Sequence, residues 1–328
     1  MVELVARWIE EHAHPLTTFD PDAPLTDLRP LTRPLADKVR HADVVAFGAS
    51  HRLTHELSAL SHRLVRLLVE ELGFRSIALE GDDASRVGLD EYISTGTGDA
   101  RAQLLEARPF WQTEEILNAV RWMRDFNRRH PDDPVRFAGT FDSGAGRDDL
   151  AGIERGLAED TIRWHEHTGD RIAYWGGLAH TVIGLPRTVS PSSPPLTHRN
   201  AGGYLREHFG DGYVSIGLTF DHGTVPYPVP SPPEEFAEAT LARTGLDAAY
   251  LLDLHSDASD ASDVSDASDV SEAVRAWLET PTKTRLIGPQ YDPEDDAAYH
   301  LSGGSPADWF DAIVHIREVT PARLLTRN

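Results

Sequence analysis

An α/β fold with a largely parallel central sheet, flanked by helices, is the class this sequence predicts, and two observations point to it. Short runs of β-branched and aromatic residues alternate with longer helical patterns over nearly the whole chain. Those runs show little apolar–polar alternation, as strands covered on both faces require. The chain opens with an amphipathic helix, Val2 to His14, whose Glu3, Arg7, Glu10 and Glu11 do not suit a signal peptide. The first strand is Asp43–Gly48, and a helix from about Thr54 to Leu72 follows, stopped at Gly73. Arg75–Glu80 reads as the next strand. From about Asp83 to Asn127 the pattern is helical with no strand between, which suggests a cap section of about 84–130 inserted over the sheet. Within it, Glu114–Arg129 sets Ile116, Leu117, Val120 and Met123 on one stripe. Val135–Gly139, a helix from about Asp148 to His167, and Arg171–Trp175 continue the alternation. Tyr213–Phe220, Thr284–Gly288 and Asp311–Arg317 complete the strands, and the whole of 1–328 reads as one domain.

Three stretches read as loops. Ser190–Pro195 and Pro226–Pro233 are proline-rich and cannot continue a helix or a central strand. Ser256–Ser271 repeats Ser-Asp-Ala or Ser-Asp-Val, a three-residue period that fits neither helix nor strand amphipathicity. Its oxygens would suit calcium, but the tract lacks an EF-hand spacing and a turn glycine, so a solvated loop is expected.

Composition narrows the function. With 53 acidic against 31 basic residues the formal net charge is −22, which argues against nucleic acid as a partner. No apolar run approaches the length of a membrane span, so a cytoplasmic protein is expected. The chain has no cysteine, which removes disulfides, thiolate nucleophiles and cysteine-based metal sites. It also has no Gly-x-Ser-x-Gly elbow, no phosphate-binding glycine loop and no His-Glu-x-x-His helix.

The chemistry-bearing residues cluster where strands end, which is where an open α/β sheet presents catalytic groups. The first strand runs into Ser50-His51-Arg52-Leu53-Thr54-His55-Glu56, and the second into Glu80-Gly81-Asp82-Asp83. His51 and His55 are four apart and share a face if the helix has started by then. Histidine and glutamate at neighbouring strand ends make a workable acid/base set. His51, His55 and Glu80 could in principle hold zinc, but no metal and no cofactor is expected. Trp111, opening the polar run Gln112–Glu115, is a candidate cleft wall, with packing in the core as its alternative. His300, after the loop Gly288–Pro293, is a candidate pocket residue, and His222, after the strand ending at Phe220, a weaker one.

Together these segments resemble the erythromycin esterase family. The resemblance is carried by Thr54-His55-Glu56, His62-Arg63-Leu64, Ala78-Leu79-Glu80-Gly81-Asp82 and Phe110-Trp111-Gln112-Thr113-Glu114-Glu115. Trp122-Met123-Arg124, Ala179-His180, Tyr213–Gly217 and Trp309–Ile313 extend it from about Leu31 to Pro321. It implies an α/β fold with a helical section over a cleft, and metal-independent hydrolysis of a macrolide lactone. The departures are as informative. The family's signature glutamate falls on Ala49, its general-base histidine on Arg52, and the arginine of the following helix on Ser61. In Trp175-Gly176-Gly177-Leu178-Ala179-His180 only the last histidine of the family's segment is kept.

The expected function is therefore acid/base chemistry on a polyketide-like small molecule without net hydrolysis, such as cyclisation, addition or elimination. The alanine- and arginine-rich, lysine-poor composition, typical of high-GC bacteria that make polyketides, suggests that substrate class. Catalysis is assigned to His51, His55, Glu80 and His180, and substrate contact to Arg52, Glu56, Trp111 and His300. Two alternatives stand beside it: an ester or macrolactone hydrolase using His51 with Glu80, and a binding protein that leaves its ligand unchanged.

Overall fold

The computed structural model describes residues 2–29, 35–81, 83–141, 149–190, 194–255, 267–288 and 291–327. Helix α1 (Val2–His12) leads to β1 (His14–Pro15), then α2 (Leu35–His41) to β2 (Val44–Ala49). Helix α3 (His55–Glu70) and β3 (Ser76–Leu79) follow. Before β4 (Arg136–Phe137) lie α4 (Asp83–Arg86), α5 (Leu89–Thr95), α6 (Ala100–Leu104) and α7 (Glu114–Arg129). Next come α8 (Leu150–Thr168), β5 (Ile172–Gly177), α9 (Leu178–Thr181), β6 (Arg187–Val189), β7 (Leu196–His198) and α10 (Ala201–Phe209). The chain continues through β8 (Tyr213–Thr224), β9 (Pro228–Val229), α11 (Ala237–Leu241) and β10 (Ala249–Asp253). It closes with α12 (Ala267–Glu279), β11 (Thr282–Arg285), β12 (His300–Gly304), α13 (Pro306–Trp309) and β13 (Ala312–Val319).

The large sheet runs β1-β10-β13-β8-β2-β5-β3-β4, with β9 added to β8. It is parallel from β13 through β4, and β10 and β1 are antiparallel additions at one edge. This is the α/β class expected from the sequence, and the packing explains the missing alternation. Val45 and Phe47 of β2 pack with Leu60, Leu64, Leu117 and Val120 of α3 and α7 on one face. Val44 and Ala46 pack with Leu157 and Leu205 of α8 and α10 on the other. Every residue of β2 is buried, so an apolar side chain is favoured at each position.

A second, antiparallel sheet, β11-β12-β6-β7, was not anticipated: the strand expected at Thr284–Gly288 forms at Thr282–Arg285 and lies at the edge of this sheet, not among the central strands. Its strands are short and partly exposed, so their sequences lack the apolar run that marks the central strands. The Ser/Asp tract also divides differently from expectation. Residues 256–266 lie outside the described residues, but Ala267–Ser271 already belong to α12. Val270, Ala273, Val274 and Trp277 recur at helical spacing there and pack near Trp8 and Ile9 of α1, so tertiary burial extends the helix back into the repeat.

One close approach sets up the site. Gly48 of β2 lies under α9, where a Cβ would meet Thr181 Oγ1 at 2.0 Å and Leu178 Cα at 2.7 Å. Only glycine lets α9 settle on the sheet there, and α9 carries His180. No helix among the described residues is long and apolar enough to cross a membrane.

Candidate active site

The ends of β2, β3 and β5 deliver a connected set of charges. Glu80 directly follows β3, and its N–H donates to the Trp175 carbonyl (3.0 Å), which continues the ladder to β5. Its side chain is 5% exposed. Arg52 Nη2 donates to both Glu80 oxygens at 2.5 Å, the Gly177 N–H donates to Oε2 at 2.8 Å, and His180 Nε2 stands 3.3 Å from Oε1. On the far side of the ring, His180 Nδ1 is 2.8 Å from Glu154 Oε1. Gly177 makes room for the arginine: a Cβ there would lie 2.6 Å from Arg52 Nη2. The guanidinium is also roofed by Phe110, whose ring centroid is 4.2 Å from Cζ, with Trp111 behind at 5.7 Å.

Electrostatics follows from this packing. Burial pushes the Glu80 carboxyl up, but Arg52, then His180 and the Gly177 N–H outweigh it and hold it below the usual carboxylate value. Burial likewise raises Glu154, yet His180 brings it down to about 2. Burial alone would lower His180; Glu154 and then Glu80 win and raise it above the ordinary histidine value. Tyr174, buried on β5, is raised by burial and then by Glu80 and Glu154, so its phenol stays protonated beside them.

His51 sits just beyond β2 and is 6% exposed. Thr54 Oγ1 donates to the His51 carbonyl (3.0 Å), so the ring's Nδ1–H is the donor to Thr54 Oγ1 (3.2 Å). That tautomer leaves Nε2 as a lone pair, and it has no hydrogen-bond partner among the described residues. Burial, and then the neighbouring Arg52 charge, lower the imidazole to about 4, so it is neutral at pH 7. Tyr227 meets the His51 ring edge-on at 6.2 Å, stacks on Tyr291 at 5.2 Å, and Tyr291 meets Tyr299 at 5.0 Å.

Of the residues expected at the site, the structure brings Arg52, Glu80 and His180 into direct contact and sets His51 beside Arg52. The others are placed elsewhere. His55 is the first residue of α3, so His51 precedes the helix and the four-residue spacing does not put them on one face. Its Nδ1 pairs with Glu115 Oε1 at 2.7 Å, and Glu115 also accepts from the Arg323 N–H. Glu56, expected to touch substrate, is used up by Thr320: Oε2 accepts its N–H (2.7 Å) and Oε1 its hydroxyl (2.6 Å). Trp111 is 2% exposed within the main core, so it takes the packing alternative, and half-buried Phe110 is the aromatic laid over Arg52. His300 turns from the site, toward Phe236 (5.9 Å) and the Ala297 carbonyl (3.0 Å), while its neighbour Tyr299 faces the tyrosine cluster. Successive side chains of extended backbone point to opposite sides, so one position decides the matter. His222 pairs with Asp221 next to it. Asp82 lies outside the described residues.

Glu154, Tyr174 and Tyr227 were not anticipated. Glu154 lies on α8, 26 residues from its partner His180, and local spacing carries no sign of that pairing. A tyrosine within a buried strand reads as core. Among the described residues no group of three histidine, aspartate or glutamate side chains is arranged to hold a metal ion.

Comparisons with known proteins agree with this architecture. The crystal structure of a Bacillus cereus protein superposes with a TM-score of 0.78 at 19% identity, covering 99% of this chain and 100% of that one. A succinoglycan biosynthesis protein gives 0.77 at 20%, covering 98% of each chain. An erythromycin esterase mutant in its open conformation gives 0.64 at 14%, covering 94% of this chain and 98% of that one. At such identities the likeness is one of fold. In sequence, the chain is 29% identical over 122 residues to the erythromycin esterase type II of Escherichia coli. That match takes in 37% of this chain and 28% of the relative's length. The family model described as erythromycin esterase matches residues 69–151 and 146–319. Matched by that model over more than half its length, the chain belongs to the erythromycin esterase family.

Proposed function

We propose that the protein is a hydrolase of an ester or lactone, in which His51 activates water. The observation that carries this reading is the free Nε2 of a neutral, buried His51 beside the Arg52–Glu80 pair. A base must hold its lone pair at working pH, and His51 does so across the neutral range. Arg52 commits Nη2 to Glu80; the rest of its guanidinium is the donor set for the oxyanion that forms when water adds to the carbonyl. Glu80 aims Arg52, and His180 returns a proton to the departing oxygen. Membership of an esterase family supports the reaction class. The aromatic groups at Phe110 and Tyr227 suit a bulky apolar substrate such as a polyketide-derived lactone.

A second reading, acid/base rearrangement without net hydrolysis, draws on one observation: a guanidinium stands where the family resemblance implies the water-activating histidine. Acid release in a pH-stat with nitrophenyl esters and macrolide lactones separates the two. Sustained release, cut by about 100-fold or more in His51→Ala, is the expected result. Its acid limb should lie below the ordinary histidine value, toward pH 4, because His51 loses its lone pair only there. Release no faster than in buffer would sink the hydrolase reading. A rearranged product without acid would favour the second, and a tightly bound but unchanged ligand would make the protein a binder.

A further inference from the structure

His180 Nδ1 is hydrogen-bonded to Glu154 Oε1 at 2.8 Å, and on the other side of the ring Nε2 stands 3.3 Å from Glu80 Oε1, within ion-pair range but without the alignment of a hydrogen bond. The Nδ1–H serves Glu154, and with two carboxylates flanking the ring a protonated imidazole answers the charge of both, which a neutral one cannot. Glu154 is itself firmly built in: its side chain is 1% exposed, and its Oε2 accepts the Ala201 N–H at the start of α10 (2.8 Å). The groups facing this pair are Glu80 after β3, Arg52 from the loop before α3, Tyr174 on β5, and His198 on β7, whose Nε2 is 3.7 Å from Glu154 Oε1. Of the two contacts the outer one, to Glu154, is the tighter. The inner one is looser because Glu80 already serves Arg52 and Gly177.

We propose that Glu154 is a positioning residue, which acts from behind His180 to aim the ring and keep it an imidazolium whose Nε2 proton is the one delivered to the leaving group. In that step the Nε2–H bond breaks, an O–H bond forms on the departing alkoxide, and His180 is left neutral with its Nδ1–H still donated to Glu154. The proton that His51 takes from water returns to His180 through solvent, so the cycle nets water plus ester to acid plus alcohol. The raised titration of His180 and the lowered one of Glu154 agree with this arrangement. The transfer rests on the hydrolase reading; the hold on His180 does not.

The test is an NMR titration of the His180 ring, assigned with His180→Gln, in the intact protein and in Glu154→Gln, alongside pH profiles of kcat. The ring should titrate above the ordinary value in the parent and at least about one pH unit lower in Glu154→Gln, with the basic limb of kcat moving equally. KM should change less than about twofold, since a residue behind the ring adds no ground-state contact. Glu154→Asp, which keeps the charge, should restore all or part of the shift. An unchanged His180 titration in Glu154→Gln, or in Glu154→Ala if the glutamine variant does not fold, overturns the proposal. A shifted titration in proteins that hydrolyse nothing upholds the hold on His180 and counts against the hydrolase reading alone.

Discussion

The loop 50–54 separates two clusters built from the same residue types. On one side Arg52, Glu80, His180 and Glu154 form a chain with carboxylates 5% and 1% exposed. On the other, His55, Glu115 and Arg323 form a junction whose carboxylate is as buried (2%) but whose histidine and arginine are 35% and 65% exposed, against 18% and 17% for His180 and Arg52. Histidine, carboxylate and arginine are thus common to both, and the exposure of the histidine and arginine separates them. In the first, low dielectric strengthens each pairing and shifts the protonation equilibria. In the second, solvent screens the charges, and the contacts serve to fasten the C-terminal segment. That segment is laced between the starts of α3 and α7. The His55 N–H donates to the Thr320 carbonyl, the Ala322 N–H to Leu53, the Glu114 N–H to Arg323 and the Leu325 N–H to Gln112. It therefore braces the loop that carries Arg52 and the turn that carries Phe110.

The comparison is sharpest where each cluster loses one member. Glu80→Gln should lower kcat by about 1,000-fold by unbalancing Arg52 and His180, whereas His55→Ala should cost under about fivefold. Steady-state kinetics on whichever ester is turned over checks this, and equal losses would erase the distinction between the clusters. A smaller effect is expected from removing residues 320–328. The protein should stay folded but lose roughly 2–4 kcal/mol in a denaturant titration, because several backbone bonds and both Glu56 contacts vanish together. Turnover should fall with it, since Leu53 and Gln112 lose their brace.

The smallest effect concerns a histidine outside both clusters. His62 of α3 is buried with neither ring nitrogen hydrogen-bonded, edge-on to Trp122 at 5.6 Å. Burial, then Arg66, lower its titration to about 3, so it stays neutral when folded while the unfolded chain takes up a proton below about 6.5. Its contribution to stability is present above that value and is lost as pH falls toward 3, at about 1.4 kcal/mol per pH unit. His62→Leu should raise the unfolding midpoint a little at pH 8 and more at pH 5. An equal gain at both values would show that the ring is not held neutral.

Much of this was legible in the chain. The fold class followed from strand runs such as 43–48 and 213–220, because strands buried on both faces need apolar residues at every position. Glu80 was singled out because strand ends are where an open sheet places its chemistry, and Arg52 and His180 through the family resemblance; that the three meet was not legible. The antiparallel sheet was not, since short half-exposed strands carry no apolar run. Nor was the separation of His51 from His55, which turns on the residue where α3 begins. Helix starts are set by capping and tertiary contacts, here the hold of the Thr320 carbonyl on the His55 N–H.

By itself, then, the sequence determined the α/β class, the family, and a candidate site of histidine, glutamate and arginine with no thiol available to it. Tertiary structure alone decided which partner each carboxylate would meet. Glu80 meets Arg52, Glu154 meets His180, Glu115 meets His55, and Glu56 meets Thr320. Those pairings span 26 to 264 residues, and the charge of a glutamate says nothing about its partner until packing brings one within hydrogen-bond reach and excludes the water that would otherwise replace it.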